Sequence, residues 1–259
     1  MKKCLTFLMS CVFLYSCGYE KTEIGDPKNN LNLNGTPVID YQDEPFTFEK
    51  VTKPEVWRTF NNLEEMLEAC QLPEGMLSVM STRNLIQTLM NHPLFFIYTA
   101  YNNELDGVNV IIDNFNGFEE LQKREDVAEA IIDYYAAINL KNIVGTTKLP
   151  SLLPDLTIIH LGYLELVIAS KKIPEIFNAK YIDKLNNAML EMYDAKLSLI
   201  NEIDLSSINK SLLLGAQIQL SKNLISLEER KILQEFVDKG GNVSEESMYT
   251  TVSQIINSK

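Results

Sequence analysis

The chain has 259 residues, 46% of them hydrophobic, and 35 acidic residues against 23 basic ones give it a formal charge of −12. That length and apolar content suffice for one sizeable domain or two small ones. The acidity excludes nucleic acid as an expected partner, because displacing phosphate counterions takes a basic stripe and Lys and Arg form no cluster here.

Lys2 and Lys3 precede an apolar run from Leu5 to Tyr15, which ends in Leu14-Tyr15-Ser16-Cys17. A positive start followed by such a run is the order of a secretory signal. Leu14 at −3, Ser16 at −1 and Cys17 at +1 resemble the lipobox of bacterial lipoproteins cleaved by signal peptidase II, with Tyr15 departing from the small −2 residue of that pattern. The resemblance implies that residues 1–16 form a signal peptide and that Cys17 is the lipidated first residue, making the membrane a partner through acyl chains. Ordinary secretory cleavage after Ser16 would want a small residue where Leu14 stands. The run is also shorter than the roughly 20 residues a spanning helix needs. Gly18 lacks the Asp that marks inner-membrane retention in enterobacterial lipoproteins, and Glu20 and Glu23 resemble acidic surface-export signals of Bacteroidetes-type lipoproteins. Together these imply a cell-envelope protein of the outer membrane, facing periplasm or cell surface. Losing Lys2 and Lys3 from 23 basic against 35 acidic residues would leave a body of net −14.

Residues 17–50 read as the lipidated cysteine and a flexible tether, since Gly18 to about Phe48 is rich in Asn, Asp, Gly, Pro and Lys and carries no helical or strand period. About thirty such residues reach on the order of 30 Å. Within it, Pro37-Val38-Ile39-Asp40-Tyr41 has the apolar content to dock as a short strand instead.

Residues 51–259 read as an all-α domain, either a multi-helix bundle or a short α-solenoid-like array. Helices are expected over roughly 62–71, 83–91, 94–114, 117–122, 126–139, 155–171, 179–202 and 208–223, followed by one opened at Ser226 and stopped by Gly240-Gly241, and a last one presenting Met248, Val252, Ile255 and Ile256. Asn62 with Glu65, Asn116 with Glu119 and Ser226 with Glu229 have N-cap spacing. Gly145-Thr146-Thr147-Lys148-Leu149-Pro150 and Pro154 interrupt the pattern, so a boundary between two helical halves is expected at about 142–154. Leu152 to Ala169 is the most apolar stretch of the body, yet it contains Asp155, His160 and Glu165, which makes it a core helix and not a membrane span.

The stretch Asn61 to Pro73, then Met80-Ser81-Thr82, Pro93-Leu94, Ala100-Tyr101-Asn102-Asn103 and Phe115 to Leu121, resembles in order a segment of uncharacterised secreted helical proteins of Bacteroidetes-type bacteria. Covering about residues 57–122, it implies secretion and a helical module and carries over no catalytic residue. These pieces are mostly caps, turns and apolar core positions.

No G-x-S-x-G elbow, H-E-x-x-H zinc helix or phosphate loop ending in Gly-Lys-Ser/Thr is present, and no cofactor or metal signature appears. Cys4 and Cys11 would leave with the signal and Cys17 would carry lipid, so Cys70 has no intrachain partner and reads as a buried small hydrophobe. Thr157, His160 and Tyr163 fall on neighbouring helical positions and are a candidate polar pocket, against a hydrogen-bonded core histidine as the plainer reading. Trp57, Tyr134 and Tyr135 are candidates for ligand stacking, against tyrosines that cover a core edge. The expected function is therefore a lipid-anchored binding or interaction module with a protein or peptide partner. An envelope hydrolase acting on cell-wall or dietary polymer and a ligand-capturing lipoprotein of an uptake system are the alternatives.

Overall fold

Side-chain caps start several helices, and two glycines end one. The computed structural model describes residues 41–144, 157–170, 176–222, 224–243 and 246–258, in which helices are joined by turns and no strand is present. The expected signal peptide, Cys17 and residues 18–40 lie outside the described residues.

Two single turns come first, α1 (Glu49–Thr52) and α2 (Pro54–Trp57), the second with Pro54 at the position where a missing N–H costs nothing. Helix α3 (Leu63–Ala69) opens at Asn62, whose Oδ1 accepts from the Glu65 N–H at 2.9 Å, while the Glu65 carboxylate accepts from the Asn61 N–H at 2.7 Å. Next are α4 (Glu74–Leu77) and α5 (Thr82–Met90).

The expected single helix over 94–114 is two pieces, a 3-10 helix (Phe95–Ala100) and α6 (Glu104–Ile112). Asn103 makes the break: its side-chain oxygen accepts from the Leu105 N–H at 3.0 Å and so caps a new helix. Before α7 (Asn116–Gln122), Phe115 holds the N-cap position expected for Asn116. Asn116 instead accepts from the Leu72 N–H at 2.9 Å and donates to the Leu72 carbonyl at 2.8 Å, clamping the α3–α4 link onto α7.

The remaining helices are α8 (Val127–Ala136), α9 (Leu140–Val144), α10 (Ile158–Ile168), α11 (Ala179–Ser198), α12 (Leu205–Lys222), α13 (Leu227–Asp238) and α14 (Glu246–Asn257). Ser226 and Glu229 close a reciprocal capping box at the start of α13. Gly240 and Gly241 stop it in left-handed backbone, with φ of 63° and 74°.

Helix α10 is buried from His160 to Ile168, as a helix apolar on all sides must be. It packs against α5, α6 and the 3-10 helix from the first half and against α12 from the second, while α8 packs on α11 and α12 also contacts α13 and α14. Helices distant in sequence are thus neighbours, which is a bundle; a solenoid repeat would touch only its sequence neighbours. One contiguous apolar core runs from Phe48 to Ile256, so packing crosses the expected boundary at 142–154, of which residues 145–154 lie outside the described residues.

The described end of the stretch expected as a tether over 17–50 is docked on the helical body. Asp43 accepts from the Ser81 N–H at 2.6 Å and from the Asn84 amide at 2.8 Å, the Phe46 N–H donates to Thr88 Oγ1 at 2.9 Å, and Phe48 is buried against Phe115 and His92. Two phenylalanines in a polar segment have enough apolar area to dock it. No described helix is long and apolar enough to cross a membrane.

Candidate functional site

The expected trio lies at the start of α10. Thr157 is the N-cap, and its Oγ1 sits 2.9 Å from Nδ1 of His160, the pair forming a capping box with His160 in the place usually held by Glu or Gln. The imidazole stacks on Phe95 at 4.0 Å between centroids, and burial lowers its pKa to about 4, so it is neutral at pH 7. Tyr163 is fully buried among Phe95 and Tyr98, and its hydroxyl has no hydrogen-bond partner among the described residues. Thr157 and His160 therefore meet as a helix cap, with Tyr163 one turn deeper in the core.

The stacking candidates are in the core as well. Trp57 is buried edge-on against Phe60 at 5.7 Å, and Tyr134 and Tyr135 are buried on α8, so none of the three offers a ring face to a ligand. These rings fall on inward helical positions, and burying them is worth more than exposing them. Cys70 is buried, with its thiol pushed up to about 12, which keeps it unreactive. His92 accepts from the Leu94 N–H through Nδ1 at 3.2 Å, and burial lowers its pKa to about 3. No group of three metal-ligating side chains occurs among the described residues.

A buried polar constellation joins four helices in the interior. Glu165 of α10 receives Lys196 of α11 at 2.5 Å on Oε2, and on Oε1 it accepts the hydroxyls of Tyr135 at 2.9 Å and Ser211 at 2.6 Å. Lys196 also donates to the Ser207 carbonyl at 2.7 Å. Burial pushes the Lys196 ammonium below its ordinary range, opposed by the neighbouring carboxylate, and raises the Tyr135 hydroxyl well above its own. Beside it, Lys210 pairs with Glu104 at 2.9 Å and with Ser206 Oγ at 2.7 Å, its stem passing over Gly162, where a Cβ would stand 2.7 Å from Lys210 Cδ. A catalytic acid or base must reach a substrate. Both oxygens of Glu165 are engaged and both charged side chains are fully shielded from solvent, so this network orients helices. Its signal in the sequence is the charge inside an apolar stripe: Lys196 continues the inward series Ile182, Leu185, Met189 and Met192 on α11.

Access exists elsewhere, at a trough of about 660 Å³ between the start of α11, the end of α12 and the start of α13. Phe177, Ile182 and Leu220 supply apolar lining, and Asp183, Lys222 and Arg230 supply charge. The Lys222 ammonium, largely buried, reaches Asp183 at 2.7 Å, and Arg230 donates to the Leu220 carbonyl at 3.4 Å. The volume lies in the range that holds a small ligand or several side chains. Sequence reading missed this site because three helix ends must meet to make it. Comparison with protein-family models, with curated proteins and with solved structures finds no match for this chain.

Proposed function

We propose that this chain is a lipid-anchored interaction module of the bacterial cell envelope, held through Cys17 and binding a protein or peptide segment in the trough between α11, α12 and α13. The observation that carries the reading is the trough itself: apolar lining and charged walls, with Leu224 and Leu227 exposed beside it. Such a lining suits a segment whose apolar side chains enter while its polar flanks meet the rim. The anchor rests on Leu14, Ser16 and Cys17 and supplies location, not chemistry.

Two measurements test it. A photoreactive residue at position 224 in living cells is expected to yield an adduct with a protein, and the same residue at exposed Lys123, just past the end of α7, none. Turnover of an envelope polymer by the purified chain, without any protein adduct at 224, would sink the binding reading. Metabolic labelling with an alkynyl fatty acid is expected to mark the chain and to be lost in Cys17→Ser; labelling that survives the substitution removes the anchor.

A further inference from the structure

The antiparallel helices α11 and α12 form a hairpin about 30 Å long, from 1.5 Å per residue over α11. Its tip lies at the end opposite the trough. Glu191, Asp194 and Leu197 recur every third residue along one exposed side of α11, and Ile200 continues that row into the turn. Leu197 is 40% exposed, Ile200 47% and, at the start of α12, Leu205 66%, an unusual display for large aliphatic side chains. The backbone that carries them is held in place. Leu199 and Ile203 of the same turn pack on the core, the Glu202 and Ile203 N–H groups both donate to the Leu199 carbonyl, and Asp204 accepts from the Ser207 N–H at 2.7 Å. Beneath the turn, Lys196 ties the Ser207 carbonyl to Glu165. The tip is therefore fixed with three aliphatic side chains outward, and a partner does not have to order it.

The charge around these side chains has one sign. Glu191, Asp194, Glu202 and Asp204 are all exposed, and none of them forms an ion pair among the described residues. The only cations between Met189 and Leu213 are Lys196 and Lys210, both buried and held by Glu165 and Glu104. We propose that the tip of the α11–α12 hairpin docks a cationic amphipathic segment of another protein, on a surface separate from the trough. The apolar side of that segment covers Leu197, Ile200 and Leu205, and its Lys or Arg side chains meet the four carboxylates. Opposite charge selects this occupant over the others. A second copy of the chain brings the same acidic tip on a body of net charge −12, and an anionic lipid surface is repelled in the same way. The attraction lies between exposed groups, so it weakens as salt is raised.

Fluorescence anisotropy of a labelled Leu/Lys amphipathic peptide, titrated with the full-length chain at physiological salt, tests this. The peptide is expected to bind, and a Leu/Glu peptide of the same pattern is not. Ile200→Ser with Leu205→Ser, and separately Glu191→Lys with Glu202→Lys, are each expected to weaken binding about tenfold or more, through lost apolar burial and reversed charge. Glu64→Lys with Glu68→Lys makes the same change of charge at exposed positions of α3 and is expected to leave the affinity within about twofold, since charges farther than a Debye length are screened. All six positions are exposed, and circular dichroism checks that each variant keeps its helices. A photoreactive residue at 205 is expected to capture the Leu/Lys peptide, and one at 224 is not. Equal weakening by the two charge variants, or undiminished binding after Ile200→Ser with Leu205→Ser, overturns the proposal as general attraction to an acidic chain. Capture at 224 and not at 205 overturns it in favour of the trough. In the cell envelope, adducts at 205 that are only dimers of the chain or only lipid overturn it in favour of those occupants.

Discussion

At the start of α10 the His160 ring stacks on Phe95 and accepts from the N–H of its N-cap, and accepting that hydrogen bond requires an unprotonated Nδ1. Burial lowers its pKa from 6.5 to about 4, so between those values the unfolded chain binds a proton that the folded chain does not. The contribution is therefore full above about pH 6.5 and is lost as pH falls toward 4, on the order of 3 kcal/mol at most. His92, lowered to about 3, acts in the same direction. In urea unfolding between pH 7 and 4.5, His160→Gln is expected to flatten the slope of stability against pH, because Gln keeps the capping acceptor and cannot titrate. An unchanged slope would show that His160 does not carry this dependence.

Whole elements are positioned by close backbone approaches as much as by apolar faces. Helix α6 lies against the 3-10 helix with Gly107 at the contact, where a Cβ would stand 2.5 Å from Tyr98 Cα. Backbone cannot yield as a flexible side chain can. Gly107→Ala is thus expected to destabilise by about 1–3 kcal/mol through overpacking, although alanine gains up to ~1 kcal/mol of helix preference. Chemical denaturation measures this, and a stabilised variant would mean that α6 moves away freely. The same contact explains why 94–114 is two elements: Gly107 and the Asn103 cap let the chain fold back, whereas apolar periodicity alone runs straight through.

For the molecule as a whole, Glu165 and its three side-chain partners tie α8, α10, α11 and α12 at one point. A helix apolar on every side has no face that specifies its rotation, so a buried charge meeting its partners supplies the register. Glu165→Gln leaves the Lys196 charge buried without a counter-charge and is expected to cost about 3–5 kcal/mol. Lys196→Met should cost a similar amount, and the double variant less than the two combined, because the remaining charge goes with its partner. A double-mutant cycle read by thermal and denaturant unfolding checks this; strictly additive costs would mean that the ion pair contributes nothing beyond its separate side chains.

The all-α class was legible because apolar residues recur at helical spacing and because Asn62, Ser226 and Gly240-Gly241 punctuate helices through local hydrogen bonds and backbone freedom. Such signals act within a few residues, so sequence suffices for them. Legible too were the burial of Cys70 and the core nature of the helix carrying His160 and Glu165. Tertiary structure alone decided that Trp57, Tyr134 and Tyr135 face inward, that Asn116 clamps Leu72 across 44 residues, that residues 41–48 dock, and that a trough opens where three helix ends meet. Each of those depends on which elements come together, and the free energy of burial that selects the arrangement is shared among residues far apart along the chain.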